Sequence, residues 1–511
     1  MLSTISVIGL GKLGAPIAAC FAARGFQVIA VDIDAQKADA IGRGAPPVHE
    51  PRLAELLKES KGRLRATQDT EAAIRDSEAT FIVVGTPSEP DGGFSLRYVI
   101  PTCEAIGRAL RNKNSFHLVV LTSTVMPGST GGEIKSALER ASGKRCGQDF
   151  GLCYSPEFIA LGTVIRDFYY PDFLLIGESD PRAGDLLSDV YARTCKNSPT
   201  IARMNFINAE ITKLAVNTYI TTKISYANML ARLCEKLPEA DVSVVTYALG
   251  LDSRIGSKYL KGAVSYGGPC FPRDNRAFAA LAARSGAFSD LAEATDRFNR
   301  AQITTLAELV KSHQSGSLPI GILGLTYKPD TDVVEESFGL LLALELASAS
   351  LPIVVFDPSA DLPRTFAVHK SVRIAASAED CIAQSAIVVL ATPWQQFRDL
   401  PGSAWMQPFR SGPSFHATRR VVIDCWRSLP HLEGSQNVHY IRQVRRPPHR
   451  NLRPPQFQLR KRGIPAQRNA STCQGVKLRG DCWYSSGEGA DLSSLILGIS
   501  AKQYVQLHPF S

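Results

Sequence analysis

Apolar residues change their period twice within the first 34 positions. TISVIGLG (4–11) is a short apolar run with β-branched residues, APIAACFAARG (15–25) is Ala-rich and closed by a glycine, and QVIAVDID (27–34) is a second apolar run ending in acids. This order predicts strand, Gly-rich turn, helix, strand. Further strand-like runs follow at ATFIVVGTP (79–87), FHLVVLTSTV (116–125) and FLLIGES (173–179), with helical stretches between several of them. Such alternation predicts a parallel α/β sheet.

From Asn205 to Leu237 the pattern becomes continuous. NFINAEITKLAVNTYITTKISYANMLARLCEKL has no Gly or Pro before Pro238. It is long enough for roughly nine helical turns, a length that suits a link between domains and an oligomer interface. A second α/β unit starts near Leu318. LPIGILGLTYK reads as strand and turn, ESFGLLLALELASAS as helix, and PIVVFDPS as a strand ending near Asp357. SAIVVLATP (385–393) then echoes ATFIVVGTP, and RVVIDCWR (420–427) is the last predicted strand. The halves read as repeats of one nucleotide-binding architecture, although the second lacks GxGxxG. The expected fold class is α/β, with two Rossmann-like doubly wound domains joined by a long central helix and a helical dimerisation region. The expected boundaries are 1–200, 201–300 and 301–435, with a basic tail at 436–511. Beyond Ser435 the periodicity fails, and the Pro- and Arg-rich composition predicts disorder.

Charge sharpens that division. The net charge is +9, with 57 Lys+Arg and 48 Asp+Glu over 511 residues. The tail holds twelve basic and three acidic residues, so residues 1–435 are formally neutral. Eleven cysteines are scattered with no CxxC pair, which argues against a zinc ribbon, another metal site or a dithiol motif. The N-terminus shows no basic n-region or cleavage site, and no run approaches the ~18 apolar residues of a membrane span. Reduced thiols in a cytoplasm are therefore expected.

The candidate chemistry begins at Gly9-Leu-Gly11-Lys-Leu-Gly14, which follows a strand, opens a helix and precedes Asp32 by eighteen residues. That context is the dinucleotide fingerprint. Gly9 permits the tight turn, Gly11 lets the backbone approach a pyrophosphate, and Gly14 lets helix pack on strand. Asp32 would accept from ribose hydroxyls and repel a 2′-phosphate, which favours NAD over NADP. Lys37 could flank the adenosine or be a surface lysine. Thr86, Ser123 and Thr124 follow strand ends, where ligands lie in open α/β sheets, though as isolated residues they would be turn formers. Glu157 sits in the loop YSPEFIALG; the plain reading is a surface glutamate. Lys213 and Asn217 share a helix face and could give two donors to an oxyanion, or form a solvated polar stripe.

SYGGPCFPRD (265–274) is too rich in Gly and Pro for a helix or central strand, so it predicts a shaped loop around Cys270. Disulfide and metal readings lack partners. A nucleophilic thiolate, favoured by Arg273 and Lys261 with Asp274 as a nearby base, is preferred to a buried structural cysteine.

Over roughly 1–430 these motifs together resemble the UDP-glucose/GDP-mannose dehydrogenase family. The likeness rests on GLGKLG, VDID, GTPSEPDGG, TSTVMPG, SPEFIALG, EITKLAVNTY, GLDSRIGSKYLKGAVSYGGPCFPRD and GLTYKPDT. It implies an NAD domain, a central dimerisation region and a nucleotide-sugar domain, acting as a homodimer. It also implies oxidation of a sugar C6 alcohol to the acid with two NAD⁺. In that chemistry Asp274, Thr124 and an ordered water handle the first proton, and Cys270 forms a thiohemiacetal and then a thioester. Glu157 assists hydrolysis, while Lys213 and Asn217 stabilise oxyanions. Implied substrate contacts are Tyr259, Lys261, the Gly267-Gly268 backbone, Tyr327, Lys328 and Arg427, with Arg254 reaching the neighbouring subunit. UDP-glucose is the first-choice substrate, before UDP-N-acetylmannosamine and GDP-mannose.

The resemblance has departures. Val333 and Glu335 stand where the family commonly has Asp and an Arg that helps hold the cofactor. Leu161 replaces a common Glu, and Arg273 a common Lys. A two-electron β-hydroxyacid dehydrogenase would share the first two domains but not the second α/β unit or Cys270. Binding of nucleic acid or another anionic polymer through the tail would have cations but no surrounding fold.

Overall fold

The computed structural model describes residues 2–442 except 61, 315, 316, 368, 370, 408, 410–418 and 437. The first sheet contains β1 (Thr4–Ile8), β2 (Gln27–Val31), β3 (Leu64–Thr67), β4 (Ala79–Ile82), β5 (His117–Leu121), β6 (Phe150–Tyr154), β7 (Phe173–Glu178) and β8 (Thr200–Met204). Their order is β3-β2-β1-β4-β5-β6-β7-β8. Alternate residues feed two cores, with Ile5, Val7, Phe81 and Val120 on one face and Ile8, Ile82, Val119 and Leu121 on the other. The second sheet, β11-β10-β9-β12-β13-β14, contains β9 (Ile320–Leu323), β10 (Ile353–Phe356), β11 (Val372–Ile374), β12 (Ile387–Leu390), β13 (Arg420–Asp424) and β14 (Val438–Arg442). The first six strands of each sheet thus follow the 3-2-1-4-5-6 order of a dinucleotide-binding fold.

The first domain's turn opens α1 (Gly14–Ala23), and four further helices build the middle. Of these, α2 (Phe206–Lys236) is the long one, and α3 (Val242–Gly250), α4 (Phe271–Arg284) and α5 (Asp290–Ser312) all pack on it. Asn205 caps α2 by accepting from the Asn208 amide at 3.0 Å, and Leu237 closes it before Pro238. The uninterrupted helix read from the sequence is therefore present.

Besides containing four strands the sequence reading does not name (β3, β6, β8 and β11), the structure departs from it in three places. First, β6 and β7 are antiparallel. The connection between them consequently stays at the carboxyl end of β6, which is where Glu157 lies. Second, β14 begins beyond the boundary placed at 435 and pairs with β13 over five residues. Proline and arginine in the following sequence masked the short alternating VHYIR. The rest of the tail, 443–511, lies outside the described residues. Third, SYGGPCFPRD is only half loop. Cys270 is the N-cap of α4, and Pro272 falls in its first turn, where no helical amide is lost.

The two domains differ at their nucleotide turns. A Cβ on Gly14 would lie 1.8 Å from the Gly9 carbonyl oxygen, so these residues must be bare for α1 to meet β1. Gly339, near the start of α6 (Phe338–Ser348), meets Gly324 in the same way, with its Cβ position 2.1 Å from the Gly324 oxygen. Gly9 and Gly324 have φ of 98° and 92°. The second turn is thus the first one expanded: fifteen positions separate its glycines instead of five. Asp357 matches Asp32 but is saturated. It accepts from the amides of Leu325, Thr326, Ser359 and Ala360, the Thr326 hydroxyl and the Trp394 indole. The expanded turn and filled carboxylate remove a dinucleotide site from the second domain.

Among the described residues, no helix is long and apolar enough to cross a membrane.

Candidate active site

One face of α2 carries Glu210, Lys213, Asn217, Thr221 and Asn228, all buried. Steps of three, four and seven put them in line on the helix. A buried polar line must find partners: Thr221 donates to the Thr218 carbonyl of its own helix at 2.7 Å, and the other four reach four different segments. Glu210 accepts from the amides of Gly128 (2.6 Å) and Thr130 (2.8 Å), fixing the loop after β5. Lys213 Nζ donates to the Glu157 carbonyl at 2.5 Å. Asn217 donates to Asp274 at 2.7 Å. Asn228 donates to the Val264 carbonyl and accepts from the Ala263 amide. From α5, Asn299 holds the Tyr266 backbone in the same two-sided way, at 2.9 Å each. The Cys270 loop is therefore suspended from two helices, and the polar line on α2 is not solvated.

Cys270 is the exposed cysteine among the nine in the described residues; seven of the others are buried and Cys146 is intermediate. Its thiol nonetheless has a raised pKa. Desolvation is the main cause and Asp274 adds to it, while Arg273 and Lys213 pull the other way. The lysine that favours the thiolate is thus Lys213, correcting the earlier choice of Lys261. Asp274 has no exposed surface. One oxygen accepts from Asn217 and the other from Arg273 at 3.0 Å. Arg273 also reaches the Thr86 carbonyl at 3.4 Å and stacks over Phe94 at 4.5 Å, joining α4 to the first domain. Burial lowers the Lys213 pKa, opposed by Asp274 and Cys270. Burial pushes the Glu157 carboxyl up to about 7, with Lys213 opposing it.

The fit to NAD can be tested at the first turn. No atom lies within 4 Å of a Cβ built on Gly11, so bare backbone faces open space beside the N-terminus of α1. Asp32 accepts from the Leu10 amide (2.6 Å) and the Asp34 amide (2.9 Å) and keeps acceptor capacity, with Lys37 4.0 Å away. Ile33 beside it is 90% exposed, an apolar platform for a flat base. The residues fit a dinucleotide with an unphosphorylated ribose. Thr86 donates to the Thr124 carbonyl at 2.7 Å, and Ser123 donates to the Val84 carbonyl at 2.6 Å, so both hydroxyls tie the strand-end loops together.

Other predicted residues separate into groups. Tyr259 has φ of 64°, and its ring meets Phe271 edge-on at 6.3 Å, beside the Cys270 loop. Gly268 makes room for the Tyr327 ring, and its amide donates to the Glu335 carbonyl. Gly267 makes room for the Glu336 carbonyl, so this glycine pair serves packing between segments. Lys328 has a lowered pKa through burial, with Asp167 and Glu50 opposing. Lys261 has a lowered pKa from burial and from Arg427 and Arg398, which places three cations together near the carboxyl ends of β12 and β13. Arg427 donates to the Gly262 carbonyl, and Trp426 lies under Lys261. Arg254 is outside this cluster: its side chain is 86% exposed and paired with Asp252.

Known proteins match this arrangement. Residues 3–195 match the NAD binding domain of the UDP-glucose/GDP-mannose dehydrogenase family, 207–301 its central domain and 321–429 its UDP binding domain. The chain belongs to this family. A UDP-glucose 6-dehydrogenase of Haloferax volcanii is 36% identical over 437 residues, covering 84% of this chain and 98% of that protein. A GDP-mannose 6-dehydrogenase of Pseudomonas aeruginosa is 33% identical over 410 residues, 78% of this chain and 93% of its own. The solved UDP-glucose dehydrogenase of Pyrobaculum islandicum superposes with TM-score 0.77 at 32% identity, over 87% of this chain and 98% of that one. Membership makes this chain an NAD-dependent nucleotide-sugar dehydrogenase.

The sequence reading does not name Glu210, Asn228, Asn299 or Arg398 as site residues. Glu210 and Asn228 share the period of Lys213 and Asn217, a signal that was available. Asn299 and Arg398 have no local signal, because their partners are distant in sequence.

Proposed function

We propose that this enzyme oxidises the C6 alcohol of UDP-glucose to the carboxylate of UDP-glucuronate in two steps through a thioester on Cys270. The observation that carries the reading is an exposed cysteine beside Lys213, Asp274 and Arg273 in a nucleotide-sugar dehydrogenase. A dehydrogenase that stopped at the aldehyde would need no such thiol.

NAD, when bound, accepts the hydride that leaves C6 in each oxidation. The chain's own groups do the rest. Lys213 and Asn217 each retain donors beyond their present bonds, enough to meet an oxygen that gains charge. The Cys270 sulfur adds to the aldehyde carbon, and its proton ends on the former carbonyl oxygen. Loss of hydride and that proton leaves a thioester. Glu157 takes a proton from water as the water attacks, and the proton returns to the departing sulfur. Asp274, fully enclosed, orients Asn217 and Arg273; Thr124 and a water complete the first proton path.

The sugar nucleotide lies over Tyr259, Tyr327 and Lys328. The Lys261–Arg398–Arg427 corner suits the diphosphate, because cations at strand carboxyl ends attract an anionic nucleotide. A second copy of the chain covers α2 and α3. Tyr219, Tyr226 and Leu233, seven apart, are 47–64% exposed, and Val244 and Tyr247 extend the stripe. Arg254 then reaches the neighbour's site. A reducing cytoplasm would keep Cys270 a thiol.

The test is incubation with NAD⁺ and a panel of nucleotide sugars. UDP-glucose should give two NADH per sugar and the acid. Fastest turnover of GDP-mannose or UDP-N-acetylmannosamine would reassign the substrate, and one NADH with released aldehyde would overturn the thioester route.

A further inference from the structure

The expanded turn of the second domain, 325–338, does not serve a dinucleotide of its own. It crosses to the other domains. A Cβ on Gly162 would lie 2.2 Å from the Asp330 carbonyl, so the Glu157 loop and this turn are in direct contact. Tyr327 covers Gly268. Glu336 pairs with Arg276 of α4 at 3.3 Å. Asp332 pairs with Lys12 at 2.5 Å. Lys12 belongs to the Gly9–Gly14 turn, so this ion pair links the dinucleotide turn of one domain to the displaced turn of the other.

The turn also concentrates charge. Asp330, Asp332, Glu335 and Glu336 fall within seven residues. Each of these acids has a cation near it: Asp332 has Lys12, Glu336 has Arg276, Asp330 has Lys328 and Glu335 has Arg273. Of these cations Lys12 is the one on the dinucleotide turn. The family resemblance implies a cation at 335, on the other side of the cleft, where the chain has Glu.

We propose that Lys12 and Asp332 form a latch that couples dinucleotide binding to seating of the nucleotide-sugar domain. Lys12 is a positioning residue: it holds Asp332 rather than the cofactor's phosphates. A dinucleotide that orders the Gly9–Gly14 turn then fixes Lys12, Lys12 fixes the 325–338 turn, and the sugar nucleotide meets a formed site. By linkage the sugar nucleotide must tighten dinucleotide binding by the same factor.

The inference rests on the NAD and UDP sites assigned above, and the experiment separates the two. NAD⁺ affinity of the full-length protein is measured with and without saturating UDP. Wild type should bind NAD⁺ roughly threefold to fivefold tighter with UDP, the scale of one partly exposed ion pair. Asp332→Asn and Lys12→Ala should each bring that ratio to about one, and the exchanged pair Lys12→Asp with Asp332→Lys should restore it. Two results overturn the latch: Asp332→Asn tightening NAD⁺ binding, which would free Lys12 for phosphate, or an exchanged pair that stays uncoupled. Failure of wild type to bind UDP would instead overturn the site assignment and the latch with it.

Discussion

Asn217 and Asp274 meet at 2.7 Å where neither reaches solvent freely, and they join the long helix α2 to the first turn of α4. The bond fixes the Cys270 helix against α2 one helical turn beyond Lys213. Arg273 takes the other oxygen of Asp274. Asp274 is therefore held on both sides, by the long helix through Asn217 and by its own helix through Arg273.

Asn217→Ala should remove one donor and leave an Asp274 oxygen without its partner. We expect kcat to fall roughly 10²–10³-fold, with NAD⁺ affinity unchanged because the dinucleotide turn is untouched. Steady-state kinetics and NAD⁺ titration together check this; a variant losing both equally would point to collapse of α4 instead.

Cys270→Ser should abolish acid formation by roughly 10³-fold or more while the fold persists, since the residue is an exposed N-cap and serine caps well. NADH per sugar should drop from two to one or fewer. Wild-type turnover in this variant would make Cys270 structural.

Glu157 titrates near 7 because burial disfavours its charge. A base must be ionised, so thioester hydrolysis should rise with pH through about 7 and level above it. Glu157→Gln should flatten that limb and let the thioester accumulate, visible by mass spectrometry of the quenched enzyme. A wild-type limb surviving in Glu157→Gln would assign the base elsewhere.

The legible parts of the molecule were those written in local period or turn chemistry. β1, α1, β2 and the 31-residue α2 follow from apolar spacing and helix stops, and the Gly9–Gly14 turn from its steric need. β3 and β11 were not legible, being four and three residues long at sheet edges. For Lys213 and Asn217 the residues alone leave oxyanion donors and a solvated stripe both open, because sequence does not reveal which face another domain covers. The Asn299 clamp depends on packing between residues 33 apart.

β14 offers a further test. Tyr440 donates to Asp424 at 2.6 Å, and Arg419 donates to the Val438 carbonyl at 2.7 Å. A chain ending at Ser435 loses these bonds and bares β13, whereas one ending at His449 retains the strand. We expect the shorter chain to melt several degrees lower and to bind UDP more weakly, with the longer truncation near wild type in both. Equal melting of the two would make β14 dispensable to the sheet.

Acid should attack the first domain through His117. This residue is completely buried and shares a bond of 2.8 Å with Thr80, which in turn meets Ser6 at 2.6 Å. Desolvation, with Lys113 nearby, lowers its pKa to about 3. The unfolded chain takes up this proton near the ordinary value of about 6.5, so between those values the unfolded state binds more protons. Stability from keeping His117 neutral is complete above about pH 6.5 and is lost as pH falls toward 3. At about pH 4.5 the loss is on the order of 3 kcal/mol. His117→Gln cannot charge and should lose that slope even though it is less stable at neutral pH. Denaturation midpoints from about pH 4.5 to 7.5 compare the two chains, and parallel curves would show that another group carries the acid sensitivity.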